Sequence, residues 1–151
     1  MEKVHIIGAT SLIGQYFKDT TKKYELICYS RNNKTYKYLD IHDSQSQINL
    51  SFNGSFLVSF VPIWLTEKFL INYIKKHNSD FKSLKGIIVF SSTSAITKRF
   101  ASNTFDKNLS KKLINSENNI KSICNKNKIN CFIIRPTIIY GKYKKLSDKN
   151  L

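Results

Sequence analysis

Val4-His5-Ile6-Ile7-Gly8-Ala9-Thr10-Ser11-Leu12-Ile13-Gly14 stands almost at the start of the chain, and its reading decides the fold. Val4 to Ile7 form a short, continuously apolar run, the pattern of a buried strand. Gly8 follows at once, and Leu12, Ile13, Tyr16 and Phe17 then begin an amphipathic helical pattern. Gly8 allows the tight turn out of the strand, because a residue without Cβ adopts backbone angles closed to others. Gly14 lets the helix pack closely on the sheet. Strand, glycine turn and helix in succession is the arrangement that receives a dinucleotide pyrophosphate. The free amides and positive end of the helix then face the phosphates.

Outward from this unit the alternation continues. Tyr24 to Tyr29 reads as a second strand, Thr35 to Leu39 as a short third one, and Asp43 to Leu50 as polar and weakly helical. Ser55 to Val61 is an apolar run ended by Pro62, the signature of a buried parallel strand. Trp64, Leu65, Phe69, Tyr73 and Ile74 recur at helical spacing up to His77, and Gly86 to Ser91 forms another buried strand. A helix is predicted from Asp106 to Asn125, with Leu109, Leu113, Ile120 and Cys124 along one face. Cys131 to Arg135 gives a further strand, stopped by Pro136. Strands alternating with helices predict an α/β fold: a doubly wound parallel sheet of Rossmann type in three α/β/α layers. No linker or repeat divides residues 1–151, so one domain is expected. The chain stops at Leu151, shortly after its last strand, and so reads as the front half of something longer that lacks a C-terminal substrate region.

Composition narrows the function classes. The chain has 151 residues, 41% of them hydrophobic, with five glycines and two prolines, an ordinary globular sequence able to bury a core. The apolar run after Glu2 and Lys3 is too short for a signal peptide, and the stretch from Ser55 to Leu65 is too short to span a membrane. Cys28, Cys124 and Cys131 are widely spaced without a CxxC pair, which predicts free thiols in a reducing cytoplasm. His5, His42 and His77 show no ligand spacing, and no metal site is expected. The formal charge of +15 comes overwhelmingly from lysine, with Arg31, Arg99 and Arg135 as the arginines, and asparagine is abundant too. A nucleic-acid surface more often carries arginine and clustered aromatics. The pairs Lys22-Lys23, Lys75-Lys76, Lys111-Lys112 and Lys144-Lys145 are expected on solvated faces or near helix ends, where they also attract anionic ligands.

Three motifs, in order, resemble the extended, epimerase/dehydratase-like branch of the short-chain dehydrogenase superfamily: Gly8-Ala9-Thr10-Ser11-Leu12-Ile13-Gly14, Phe90-Ser91-Ser92-Thr93-Ser94 and Ile134-Arg135-Pro136-Thr137-Ile138-Ile139-Tyr140-Gly141. The family's central glycine is Ser11 here, a small side chain that leaves less room for the pyrophosphate. The resemblance implies a cofactor site made by Gly8, Thr10, Ser11, Leu12, Ile13 and Gly14 around the diphosphate. It places Asp40 and Ile41 near the adenine. Ser59, Phe60, Val61 and Pro62 lie along the cofactor, by backbone more than by side chain, and Pro136 and Thr137 pack by the nicotinamide. The second strand ends in Tyr29-Ser30-Arg31, with no carboxylate for the adenosine ribose. Arg31 offers a planar, bidentate donor for a 2′-phosphate and Ser30 adds a hydroxyl, so NADP is preferred over NAD.

Family enzymes exchange a hydride between substrate and nicotinamide C4, with a Tyr as acid/base, a Lys four residues on, and a Ser or Thr positioning the reacting oxygen. Thr93 matches the last, with Ser92 beside it. Counting back from Glu117 puts Leu113 where the Lys belongs and Leu109 where the Tyr belongs, and no Tyr lies between Tyr73 and Tyr140. Leucine can neither give nor take a proton. Three readings stay open: a protein that binds NADP without the standard reaction, a replacement of the dyad by Lys98, Lys111 or Lys112, or an acid/base group beyond Leu151. Lys98 is the foremost of these lysines, because Ser94-Ala95-Ile96-Thr97-Lys98 leaves the strand end beside the expected nicotinamide. Arg135 pairs with a carboxylate or braces the sheet end. The implied partners are the dinucleotide and a small-molecule substrate that these residues do not specify, with a homo-oligomer as an open option; neither nucleic acid nor a membrane is expected as a partner.

Overall fold

The apolar run Val4 to Ile7 forms most of strand β1, Lys3–Ile7, in a computed structural model that describes residues 1–137 other than 33, 44 and 48. Helix α1 follows over Leu12–Thr20, then β2 over Glu25–Ser30 and the short β3 over Lys37–Tyr38. β4 spans Phe56–Ser59, α2 Ile63–Lys82, β5 Gly86–Phe90 and a one-turn helix α3 Ser94–Thr97. The described part ends with α4, Thr104–Lys126, and β6, Asn130–Ile134. The strands form one sheet in the order β3-β2-β1-β4-β5-β6, and every neighbouring pair is parallel. The expected doubly wound Rossmann-type sheet is therefore what the chain forms.

The order reverses beside β1: the chain first builds outward through β2 and β3, then crosses back to add β4, β5 and β6 on the other side. A crevice opens at such a reversal, at the carboxyl ends of the strands, because the flanking connections leave in opposite directions. The turns after β1, β2, β4 and β5 all lie at that edge.

Alternation along the strands divides the core between the two sheet faces. Val4, Ile6, Ala9 and Val58 pack with Phe17 of α1 and Phe60 on one face. On the other, Ile7, Leu57, Ile87 and Val89 meet Phe69, Leu70 and Tyr73 of α2 and Leu113, Ile120 and Cys124 of α4. Helices thus cover both faces at the centre. At the β6 edge Cys131 and Ile133 pack toward α4, whereas Phe132 is 64% and Ile134 42% exposed on the opposite face. That corner of the sheet is uncovered among the described residues.

Several boundaries differ from the sequence reading, each for a local reason. β4 stops at Ser59 rather than Val61: the Phe60 amide still bonds to the Ile7 carbonyl at 2.9 Å, but Pro62 then caps α2. The regular part of α2 breaks at His77 (φ −133°, ψ 46°), where the apolar periodicity ends, and a last turn carries on to Lys82. The weak helix expected over 43–50 shrinks to a 3₁₀ turn, Gln45–Gln47. Side chains there take the backbone amides instead, Asp40 that of His42 at 2.9 Å and Asp43 that of Gln45 at 2.8 Å. Among the described residues no helix is long and apolar enough to cross a membrane.

Candidate dinucleotide-binding site

The turn between β1 and α1 is shaped by its two glycines. Gly8 has φ +80°, and a Cβ there would stand 3.0 Å from Val61 Cγ1 and 3.2 Å from the backbone of Phe60. Gly14 is the tighter case: a Cβ would come within 2.5 Å of the Gly8 carbonyl oxygen and 2.9 Å of Ala9 Cα. Helix and turn meet there mainly through backbone, with the Ser11 hydroxyl oxygen 3.0 Å from the same point. Ser11 is the N-cap of α1, its hydroxyl accepting from the Gly14 amide at 3.1 Å. It therefore fills a capping position that the family pattern leaves to glycine. The first bond within the helix runs from Gln15 N to Ser11 O, so the Leu12 and Ile13 amides precede the regular ladder and face the crevice end of α1.

Beside this turn lies a cleft of about 260 Å³ at the carboxyl ends of β1 and β2. It gathers Gly8, Thr10, Ser30, Arg31, Asp40, Ile41 and Val61, seven residues that the sequence singles out from four separate segments. Reading the sequence missed Asn32 and His42, which also line it. Asn32 signals only a turn, and His42 becomes a wall residue through the Asp40 turn just described. Arg31 is exposed and forms no ion pair among the described residues, leaving its guanidinium to the mouth of the cleft. Ser30 presents its hydroxyl to the Asn32 amide at 3.2 Å. Among the described residues none that directly follows β2 is acidic, and Asp40 is the carboxylate residue that lines the cleft.

Of the remaining expected residues, Ser59 is buried and its hydroxyl bonds to Thr66 at 2.7 Å, which leaves only its backbone to the crevice. The Phe60 ring packs on Phe17 and Phe90 beneath the crevice. Pro62 borders a second cavity, of about 280 Å³, with Ile63, Trp64, Phe90, Ser91, Ser92, Leu109 and Leu113. Leu109 and Leu113 thus meet the two serines after β5 across an almost wholly apolar space. Lys112 lies over the Trp64 ring at 4.2 Å, on the outside of the same wall.

The segment after β5 is pinned from three sides. Ser91 donates to Glu117 Oε1 at 2.5 Å, and its amide bonds to Ile134 O at 2.7 Å. Ser92 Oγ accepts from the Ser94 amide at 3.2 Å, starting α3, a turn the sequence did not announce. Thr93 meets the Pro136 carbonyl through its amide at 3.3 Å and its hydroxyl at 3.4 Å. Arg135 pairs with a carboxylate: its Nε donates to Glu117 Oε1 at 2.8 Å, and its Nη2 bonds to Oε2. Glu117 is 1% exposed. Burial would raise its carboxyl, but Arg135 and Ser91 outweigh that and hold it below the usual range. Lys98 is engaged by Asp106 at 2.6 Å, and this ammonium lowers the Asp106 carboxyl. Thr137 is exposed, and Ile138, Ile139, Tyr140 and Gly141 of the third motif lie outside the described residues.

No family model and no curated protein matches the chain. Solved structures do share its fold. The UDP-N-acetylglucosamine 4-epimerase from Bacillus cereus aligns with a TM-score of 0.66 at 16% identity, over 97% of this chain and 64% of that one. Vestitone reductase from alfalfa aligns with 0.60 at 13% identity, over 89% and 56%. An NADPH-dependent quinone oxidoreductase from Escherichia coli, in complex with NADPH, aligns with 0.57 at 17% identity, over 87% and 48%. The chain spans about half to two-thirds of the length of these three structures. The fold they share is the one that the short-chain dehydrogenase resemblance implies.

Proposed function

We propose that this chain is an NADP(H)-binding domain of the oxidoreductase and epimerase type, with the dinucleotide lying across the turn between β1 and α1. The observation that carries this reading is the cleft that collects Gly8, Thr10, Ser30, Arg31, Asp40, Ile41 and Val61 at the reversal of strand order. Its volume, about 260 Å³, falls below the roughly 300–1,000 Å³ of pockets that enclose a whole drug-sized ligand. It suits the adenosine end. The diphosphate sits on the amides that begin α1, where the glycines keep side chains out of its path. Arg31 and Ser30 receive the 2′-phosphate, and Asp40 with Ile41 flanks the adenine. Ser59 to Pro62 carries the path toward the second cavity, and Pro136, bonded to Thr93, and Thr137 pack by the nicotinamide.

When bound, the nicotinamide supplies hydride exchange at its C4. The chain's own contribution at that end is positional. Ser92 offers a hydroxyl at the cavity to orient a substrate oxygen, with Thr93 held behind it by Pro136. Leu109 and Leu113 exclude water and relay no proton. Lys98 is taken up by Asp106 at 2.6 Å. These two leucines favour a second reading, a protein that binds NADP without the usual proton transfer, as a sensor or assembly partner. We assign a reducing, cytoplasmic setting on the wide spacing of Cys28, Cys124 and Cys131 in the sequence.

Fluorescence titration with NADPH and NADH tests the proposal. NADPH binds more tightly, and Arg31→Ala removes most of the difference, roughly tenfold or more for a charge-assisted phosphate contact. Equal affinities in the unaltered chain would remove Arg31 from the site, and binding of neither would remove the reading altogether.

A further inference from the structure

We propose that Cys124 and Cys131 form a reversible redox pair, oxidised by a hydroperoxide to an internal disulfide that ties the end of α4 to β6. The backbone sets this up. α4 ends at Lys126, Lys128 turns the chain with φ 57°, and the Ile129 amide bonds back to the Cys124 carbonyl at 2.9 Å. β6 therefore starts directly against the last turns of α4. Alternation then points Cys131 and Ile133 onto the helix, where Cys124 continues the buried row of Leu113 and Ile120. Cys131 packs against the buried cluster that holds Cys124, and each thiol shifts the titration of the other.

Their surroundings divide the roles. Cys124 is fully buried, and its interaction with Cys131, with burial added, pushes its thiol up. Cys131 is half-buried on the edge strand of the sheet. The interaction with Cys124 holds it below the ordinary thiol range against the effect of burial, with Lys121 assisting. Cys131 is the attacking sulfur, since the thiolate is the nucleophile. Its thiolate takes the outer oxygen of the hydroperoxide. The O–O bond breaks, an alkoxide or hydroxide leaves with the proton that Cys131 gave up, and Cys131 becomes a sulfenic acid. Cys124 then attacks that sulfur: the S–S bond forms, the S–O bond breaks, and hydroxide leaves as water with the Cys124 proton. Two electrons pass from the sulfur pair to the peroxide. Both residues lie toward the end of the sheet away from the cleft, so the inference does not depend on cofactor binding.

The folded full chain is treated with hydrogen peroxide, remaining thiols are alkylated in denaturant, and tryptic peptides are weighed. Arg135 precedes Pro136 and is not cut, so Cys131 falls in peptide 129–142, Cys124 in 122–126 and Cys28 in 24–31. Peptides 122–126 and 129–142 emerge joined, two hydrogens lighter than their sum and separable by dithiothreitol, while Cys28 stays alkylated. In Cys124→Ser, dimedone traps a sulfenic acid on Cys131. In Cys131→Ser, Cys124 resists oxidation. Separate peptides, with Cys131 carried on to sulfonic acid equally in the unaltered chain and in Cys124→Ser, would overturn the pair, as would full alkylation of both cysteines after peroxide treatment.

Discussion

At the residue scale, Gly14 shows how little freedom the opening turn has. A methyl group there collides with the Gly8 carbonyl at 2.5 Å, and neither atom sits on a flexible side chain. Gly14→Ala therefore displaces α1 and destabilises the fold by about 1–3 kcal/mol, read from thermal unfolding. Gly8→Ala adds a left-handed backbone angle to a contact with Val61 and lowers NADPH affinity as well as stability. Glu117 gives an asymmetric case. Removing Arg135 leaves a buried carboxylate without its cation, at a cost of about 3–5 kcal/mol. Glu117→Gln keeps the shape and removes the charge, leaving a half-exposed Arg135 to water. Arg135→Ala should thus lower the melting temperature more than Glu117→Gln, and the reverse order would deny that the pair is what secures the strand end.

At the element scale, α4 is held by what it buries. Leu113, Ile120 and Cys124 face the sheet, and Glu117 reaches both Ser91 and Arg135. Ile120→Ala leaves a cavity under β5 and β6 and costs about 2–5 kcal/mol by denaturant unfolding. Among the described residues, all six strands and three of the four α-helices were legible from apolar runs, 3.6-residue spacing and proline stops. Elements built by side-chain hydrogen bonds were not. α3 begins where Ser92 takes the Ser94 amide, and the turn before β4 is set by Asp40, Asp43 and Ser46. Such local bonds leave no hydrophobic period to read. The shape of the candidate site was legible where motif residues make backbone geometry, as at Gly8 and Gly14. It was illegible where a distant partner decides a side chain's use. Lys98 could not be seen to face Asp106, nor Ser59 to face Thr66.

At the scale of the whole molecule, one buried group couples folding to mild acid. His5 Nδ1 lies 2.8 Å from the Tyr29 hydroxyl and its ring meets Phe52 edge-on. Burial, then Lys37, lowers its pKa from 6.5 to about 4, against the pull of Asp80. The unfolded chain therefore holds the extra proton between those values. The stabilisation is complete above pH 6.5 and is lost as pH falls through about 4, on the order of 2–3 kcal/mol. Asp80 and Glu117, both held low, contribute their loss further into acid. His5→Gln flattens the upper part of that curve in a pH series of urea unfolding midpoints.

The nucleotide site proposed here lies at the seam between the two halves of the sheet, and nuclear magnetic resonance can test it amide by amide. In ¹⁵N-labelled protein titrated with NADPH, the account predicts that the largest shifts fall on Gly8, Leu12 to Gly14, Arg31 and Asp40 to His42, with β3 and the last turn of α4 unmoved. Shifts scattered over the lysine-rich surface, and fading with modest salt while that seam stays silent, would contradict it.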